Sequence, residues 1–296
     1  MSNATATLSP APARTVKTRR LELDYRTDGL PKHFMRDGDL VMSHIVATLS
    51  ALFPEGEDFF VRSVRNYRDQ ITDPELKKQV SGFIGQEANH GREHRRFNDR
   101  LQELGYPTHT VDRMVAWGLG LEERWRPEKA RLAVTAALEH YTATLAEVLL
   151  TDPEAQGMFD SDEVRELLLW HALEESEHKA VAFDVYQHVC GDEKLRKRIM
   201  NQITVGFLLS SIGHTIHSLL LDPASRDLPR LWRSLKRLPD SPWLKKSVRR
   251  KIRDYNRTGF HPDDHDNTEL TEAWRQKLFG PDGLLADKVK GGAAAA

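Results

Sequence analysis

Two stretches of the sequence place carboxylates and imidazoles at helical spacing. In the stretch FIGQEANHGREH, which starts at Phe83, Glu87, His90 and His94 stand at i, i+3 and i+7. At about 100° per residue they share one stripe of a helix. In WHALEESEH, which starts at Trp170, Glu175 and His178 repeat the Glu-x-x-His spacing, and His171 lies one turn before Glu175. A carboxylate and an imidazole on consecutive turns can reach one metal ion. One such pair arises easily by chance in a charged helix; two pairs on separate helices, each flanked by apolar positions, point to a dimetal bundle. That architecture asks for one further glutamate from each of two more helices.

Glu57 and Glu139 meet that requirement. The helical neighbours of Glu57 are Phe60, Val61 and Val64, whereas those of Glu55 are Asp58, Phe59 and Arg62, so Glu57 points with the apolar stripe. Glu139 shares its face with Leu132, Thr135, Ala136, Thr142, Ala143 and Ala146, which are mostly small and would leave room for a ligand beside the metals. Glu147 falls nearer a helix end, towards water. His140 points about 100° away from Glu139 and is not expected to be a ligand. His94 and Glu174 lie close to the ligand stripes and suit supporting hydrogen bonds. Four carboxylates in one core would repel one another and lose hydration, at several kcal/mol per ion. Two divalent cations cancel that charge, and few Arg or Lys share these stripes to do it instead.

The elements that must carry these residues are helices. Periodicity and Pro/Gly punctuation predict helices from about Asp39 to Leu52, Pro54 to Gln70, Asp73 to Leu104, Glu128 to Leu150, Asp160 to Cys190 and Glu193 to Leu221. Residues 105–130 read as a long connection crossing the bundle. The expected fold is all-α, a ferritin-like four-helix bundle with extra N- and C-terminal helices. Residues 1–34 are expected to be a disordered or extended tail, 35–222 the dimetal bundle, and 223–296 a basic helical extension ending in a frayed Ala run.

Composition sets further limits. With 43 Lys+Arg against 44 Asp+Glu, nothing suggests a nucleic-acid partner. The one cysteine, Cys190, excludes an internal disulfide and a Cys-based metal site. No secretory signal is visible, so a cytoplasmic location is expected. The stretch Ile203–Leu221 carries no Asp, Glu, Lys or Arg. Its interrupting Ser, Gly, Thr and His residues favour a buried core helix over a membrane contact. Residues 226–257 hold twelve Lys or Arg and three Asp. They read as a solvated face, or as a peripheral contact with an anionic membrane. A homodimer is compatible with all of this.

Four stretches carry a family resemblance: FPEGEDFF from Phe53, QEANH from Gln86, HALEESEHK from His171, and GFHP from Gly259. Over roughly residues 35–265 the chain resembles the bacterial family called predicted metal-dependent hydrolases, which implies a metal-dependent reaction. The metal positions are also similar to those of p-aminobenzoate N-oxygenase and related diiron arylamine oxygenases. There Glu-x-x-His on one helix is matched here by Glu87 and His90, and His-x-x-x-Glu-x-x-His on another by His171, Glu175 and His178. The single glutamates correspond to Glu57 and Glu139. Outside these positions there is little likeness, so an arylamine substrate does not carry over.

The expected cofactor is a pair of divalent metal ions, iron first, with manganese or a mixed pair also suited to imidazole and carboxylate donors. The leading expectation is an oxidase or oxygenase that activates dioxygen toward a small hydrophobic organic molecule. The alternatives are a hydrolase that uses hydroxide between two metals, and a non-catalytic metal-binding protein.

Overall fold

The computed structural model describes residues 14–25 and 29–290. The first thirteen residues of the expected tail and the terminal Ala run lie outside the described residues. The expected all-α fold is observed, and among the described residues only two isolated β-bridges are extended pairings.

Helix α1 spans Leu40–Arg65 and α2 Pro74–Glu103. Asp39 and Asp73 cap them, each accepting from backbone N–H groups of the first turn. A break at residue 53 was expected, but α1 runs through Pro54. Proline removes the N–H that would bond the Ser50 carbonyl. The Asn98 side chain of α2 donates to that carbonyl instead, at 3.0 Å.

The expected connection at 105–130 is mostly a helix, α3 (Thr108–Trp125). Its outward stripe of Met114, Trp117, Leu121 and Trp125 is apolar, so the usual contrast between a polar outer and an apolar inner side is missing. Helix α4 spans Glu128–Thr151, and the single turn α5 spans Pro153–Gln156. The helix expected from Asp160 to Cys190 is two: α6 (Asp162–His178), capped by Ser161, and α7 (Val181–Val189). Helix α8 spans Glu193–Leu221. Then come α9 (Leu228–Arg237), α10 (Lys246–Asp254) and α11 (Thr268–Phe279), which pack on α1, α4 and α6 respectively.

The bundle is α1 paired with α2 and α4 paired with α6, closed into a ring by contacts of α1 with α4 and α2 with α6. Two apolar cores fill its ends. One contains Phe34, Phe97, Trp170 and Leu173; the other contains Phe59, Phe83, Phe183 and Tyr186. The band between them is polar and holds the candidate site.

Two sequence expectations about packing are corrected. Ile203–Leu221 is not a core helix: within it only Thr215 and Ser218 are buried. Hydropathy reports what a helix could bury, and here Ile203 and Phe207 pack partly buried against the core while Val205, Leu209, Ile212, Ile216 and Leu220 stay exposed. The N-terminal stretch is extended yet far from loose, because Arg19, Leu21, Leu23 and Tyr25 are buried at every second position. This strap crosses α2 where glycines leave space. A Cβ on Gly82 would lie 2.2 Å from the Val16 carbonyl oxygen, and one on Gly85 would lie 2.2 Å from Thr18 Oγ1. The strap meets residues 288–290 through Glu22 N–H to Lys288 O (2.9 Å) and Lys290 N–H to Arg20 O (2.7 Å).

Candidate metal centre

Four helices deliver the seven candidate ligands: Glu57 from α1, Glu87 and His90 from α2, Glu139 from α4, and His171, Glu175 and His178 from α6. All seven are buried, and the fold brings them together. Their donor atoms form three overlapping groups, each within 4.8 Å: Glu57 with His90 and His171, Glu87 with His90 and Glu175, and Glu87 with Glu139 and His178. Each group could hold a metal ion.

The hydrogen bonds around the three imidazoles fix which nitrogen is left free. His90 Nε2 is 3.1 Å from Glu174 Oε2, an acceptor, so it carries the proton. Its Nδ1 then faces Glu87 Oε1 at 3.8 Å and Glu175 Oε1 at 3.7 Å. His178 Nδ1 donates to Gln86 Oε1 at 2.9 Å, since the Gln86 amide nitrogen is engaged with Glu177. His178 Nε2 then looks at Glu87 Oε1 (3.0 Å), Glu139 Oε2 (3.3 Å) and Glu175 Oε1 (3.5 Å).

The third chain is longer. Ser50 Oγ donates to Asn98 Oδ1 at 2.7 Å, so it accepts from His94 Nδ1 at 2.9 Å. His94 Nε2 is thus the acceptor for His171 Nδ1–H at 2.7 Å. That leaves His171 Nε2 towards Glu175 Oε1 at 3.0 Å and Glu57 Oε1 at 3.8 Å. Three imidazole nitrogens therefore converge on four carboxylates. Donors held this way, each with its remote nitrogen anchored, are the usual arrangement around a protein-bound metal.

Among the described residues, both oxygens of Glu57, Glu87 and Glu139 have no hydrogen-bond partner, nor do Glu175 Oε2, His90 Nδ1 and His178 Nε2. Leaving one buried polar atom unsatisfied costs about 1–3 kcal/mol, and more when it is charged. Burial and the neighbouring carboxylates push Glu57 and Glu87 well above the usual carboxylate range, and Glu139 to about 7. Burial acts in the same direction on Glu175, but the facing His178 and His171 outweigh it and hold Glu175 low. Burial pulls His178 down, yet Glu175 and Glu139 leave it well above the ordinary imidazole value. Divalent cations would satisfy the orphaned atoms and cancel the repulsion, so the donor set fits them.

Glu174 contacts His90, and His94 contacts His171, each from behind a candidate ligand. Sequence reasoning missed Arg19. Its guanidinium reaches Glu174 Oε1 at 3.0 Å and both oxygens of Glu177 at 2.8 Å. Arg275 also holds Glu177, at 3.0 Å. The alternation of Arg19, Leu21, Leu23 and Tyr25 was the available signal, a two-residue period inside a tail otherwise read as unstructured. His140 stays outside the cluster, within 2.9 Å of the Lys251 carbonyl, and Glu147 pairs with Lys251 at the surface. His261 of the GFHP stretch contacts Asp184 at 2.7 Å and is structural.

A separate group, His33, His44 and Asp222, is already neutralised. Lys32 Nζ lies 3.1 Å from Asp222 Oδ1, Arg230 reaches His33 Nδ1 at 2.9 Å, and His44 Nδ1 meets Ser218 Oγ at 2.7 Å. It ties the end of α8 to α1.

Two cavities reach the cluster. One, about 220 Å³, is walled by residues such as Ile45, Leu49, Phe53, Leu145 and Phe207 and ends at His171 and Glu175. The other, about 260 Å³, lies between α3 and α8 over α1 and ends at Glu57 and Glu175. Phe53, Thr142 and Phe207 line both.

A buried four-helix cluster of Glu and His donors defines the chain as a metal-dependent helical-bundle protein. Residues 17–266 match the family described as predicted metal-dependent hydrolase, and the chain belongs to that family. No curated protein and no solved structure matches it.

Proposed function

We propose that this protein is a dimetal carboxylate enzyme that activates dioxygen toward an apolar organic substrate. Glu57, His90 and His171 would hold one ion and Glu139 and His178 the other, with Glu87 and Glu175 as further donors beside them. The observation that carries this reading is the combination of three imidazoles converging on the carboxylates with cavity walls that are mostly apolar. A bound pair of redox-active ions supplies dioxygen activation, and a redox-inert pair supplies polarisation of a scissile bond and of water.

The chain's own part is to bind, orient and exclude water. Phe53 packs its ring 4.8 Å from those of both His94 and His171, which restricts the plane of His171. Apolar walls select substrates without charge near the reacting end, and they offer few polar groups to recognise a phosphoryl or peptide link.

The family description favours a second reading, hydrolysis at the same cluster. Oxygen dependence separates the two. The protein is loaded with Fe(II) without air and mixed rapidly with oxygenated buffer. An O₂-dependent visible chromophore is expected. Bound iron with no spectral response would favour the hydrolase, to be pursued with a panel of esters and phosphoesters under anaerobic conditions.

A further inference from the structure

Helices α3 and α8 lie side by side and antiparallel on α1. Arg126, just past the end of α3, donates to Gln202 Oε1 near the start of α8 at 2.9 Å. At the other end, Thr108 of α3 and Ser218 of α8 border one crevice. Each helix turns an apolar stripe outward. On α3 it is Met114, Trp117, Leu121 and Trp125, with the two tryptophans 71% and 72% exposed. On α8 it is Val205, Leu209, Ile212, Ile216 and Leu220, with Leu209 and Leu220 67% and 78% exposed. By length and composition α8 could cross a membrane. Here, however, it packs along α1 and α4, so its apolar side lies parallel to the protein surface. Among the described residues nothing covers either stripe. Solvent-exposed apolar patches of this extent mark interaction sites.

Two further observations say what would cover them. The surface continues through exposed Leu221 into α9, where exposed Leu228, Trp232 and Leu235 alternate with exposed Arg233, Lys236 and Arg237. Lys236 Nζ sits 5.3 Å over the Trp232 ring. A helix with a tryptophan-bearing apolar side and a cationic side is the kind that lies in a lipid–water interface. The cations are concentrated here although the whole chain carries a formal charge of −1. Moreover, the cavity that ends at Glu57 and Glu175 opens between the two stripes. Its walls include Met114 and Gly118 of α3 and Gly206 and Ser210 of α8. A Cβ on Gly118 or Gly206 would meet nothing within 4 Å, so the mouth is open.

The geometry points to the α3–α8–α9 face as a docking surface for an anionic lipid bilayer, with the cavity mouth pressed against the membrane. The site then takes its substrate, a long-chain amphiphile, directly from the bilayer. The docking stands on the surface alone; delivery to the carboxylates rests on the dimetal reading above.

Flotation of the full-length protein with phosphatidylcholine vesicles, with and without phosphatidylglycerol, tests the docking. The protein is expected to float with the anionic vesicles, and to do so less as salt is raised. The variant Trp117→Glu/Leu209→Glu should lose vesicle binding by about tenfold or more, with unchanged melting temperature and metal content. Arg233→Glu/Lys236→Glu should lose the preference for anionic vesicles. A fluorescent long-chain fatty acid should bind the wild type, and Gly206→Trp should block it while vesicle binding persists. Wild-type protein that fails to float with either vesicle would overturn the proposal. So would a dimer in solution that Trp117→Glu/Leu209→Glu dissociates, because the face would then belong to a second copy. Metal analysis of the same samples separates failure of docking from failure of the dimetal reading.

Discussion

Pro54 and Asn98 complement each other across the α1–α2 interface: the carbonyl that the proline leaves without a helical donor is the one that the asparagine amide bonds. The same Asn98 accepts from Ser50 Oγ, which in turn steers His94 and so His171. A helix defect is thus joined to the tautomer of a candidate metal ligand.

Asn98→Ala should therefore destabilise the fold by about 1–3 kcal/mol, the cost of an unsatisfied buried acceptor. Adding Pro54→Ala restores an N–H for the Ser50 carbonyl and should recover part of the loss. Urea unfolding of the two single variants and the double variant measures this. Strict additivity would mean that Pro54 and Asn98 act independently.

Metal content gives the second test. Protein expressed in medium supplemented with iron and manganese should carry about two ions per chain. Glu87→Ala or Glu175→Ala should remove most of the metal, whereas His140→Ala should leave it in place. Elemental analysis reads the outcome, and equal losses in all three variants would contradict the assigned ligands.

The metal-free protein should show the electrostatic cost directly. Glu139 is held near pH 7 by burial and by Glu175, above its ordinary value of 4.5. A carboxyl whose folded value is raised favours folding least when it must ionise. Its penalty is absent below about pH 4.5, grows between 4.5 and about 7, and is complete above. Glu139→Gln cannot ionise. Without metal it should therefore be more stable than wild type at pH 8, by on the order of 3 kcal/mol at most, and equal to it near pH 4. Thermal melts of both chelator-treated proteins across that range check the sign.

Arg19 gives the fourth prediction. Arg19→Ala leaves Glu174 buried without its cation and Glu177 with Arg275 and the Gln86 amide. Removing one partner of a buried ion pair costs about 3–5 kcal/mol. Because Glu174 orients His90, metal affinity should also fall by about 10- to 100-fold. Calorimetric unfolding and a metal-chelator competition report the two effects separately, and Arg19→Lys should rescue both only in part, having no forked geometry.

The seven candidate ligands were legible because helical spacing turns sequence distance into direction, and Glu-x-x-His survives any error in helix ends. The supporting shell was less legible in proportion to its distance along the chain. His94 and Glu174, neighbours of ligands, could be placed. Arg19 could not, since its partners lie 155 and 158 residues away. Pro54 read as a break because its rescue comes from another helix. The exposure of α8 was hidden for a related reason: hydropathy tells what a helix can bury and says nothing of whether the rest of the chain offers a place to bury it.

The strap adds a constraint on timing. Glu177 is gripped by Arg19 from one end of the chain and by Arg275 from the other, and the backbone of residues 20–22 is stitched to that of residues 288–290. During synthesis the first of these segments emerges long before the last. Contacts this distant form only after a large loop has closed. A growing chain that already displays all four helices of the cluster therefore still lacks its outer clasp, and the grip on Glu177 is completed only once residues 275–290 have been made.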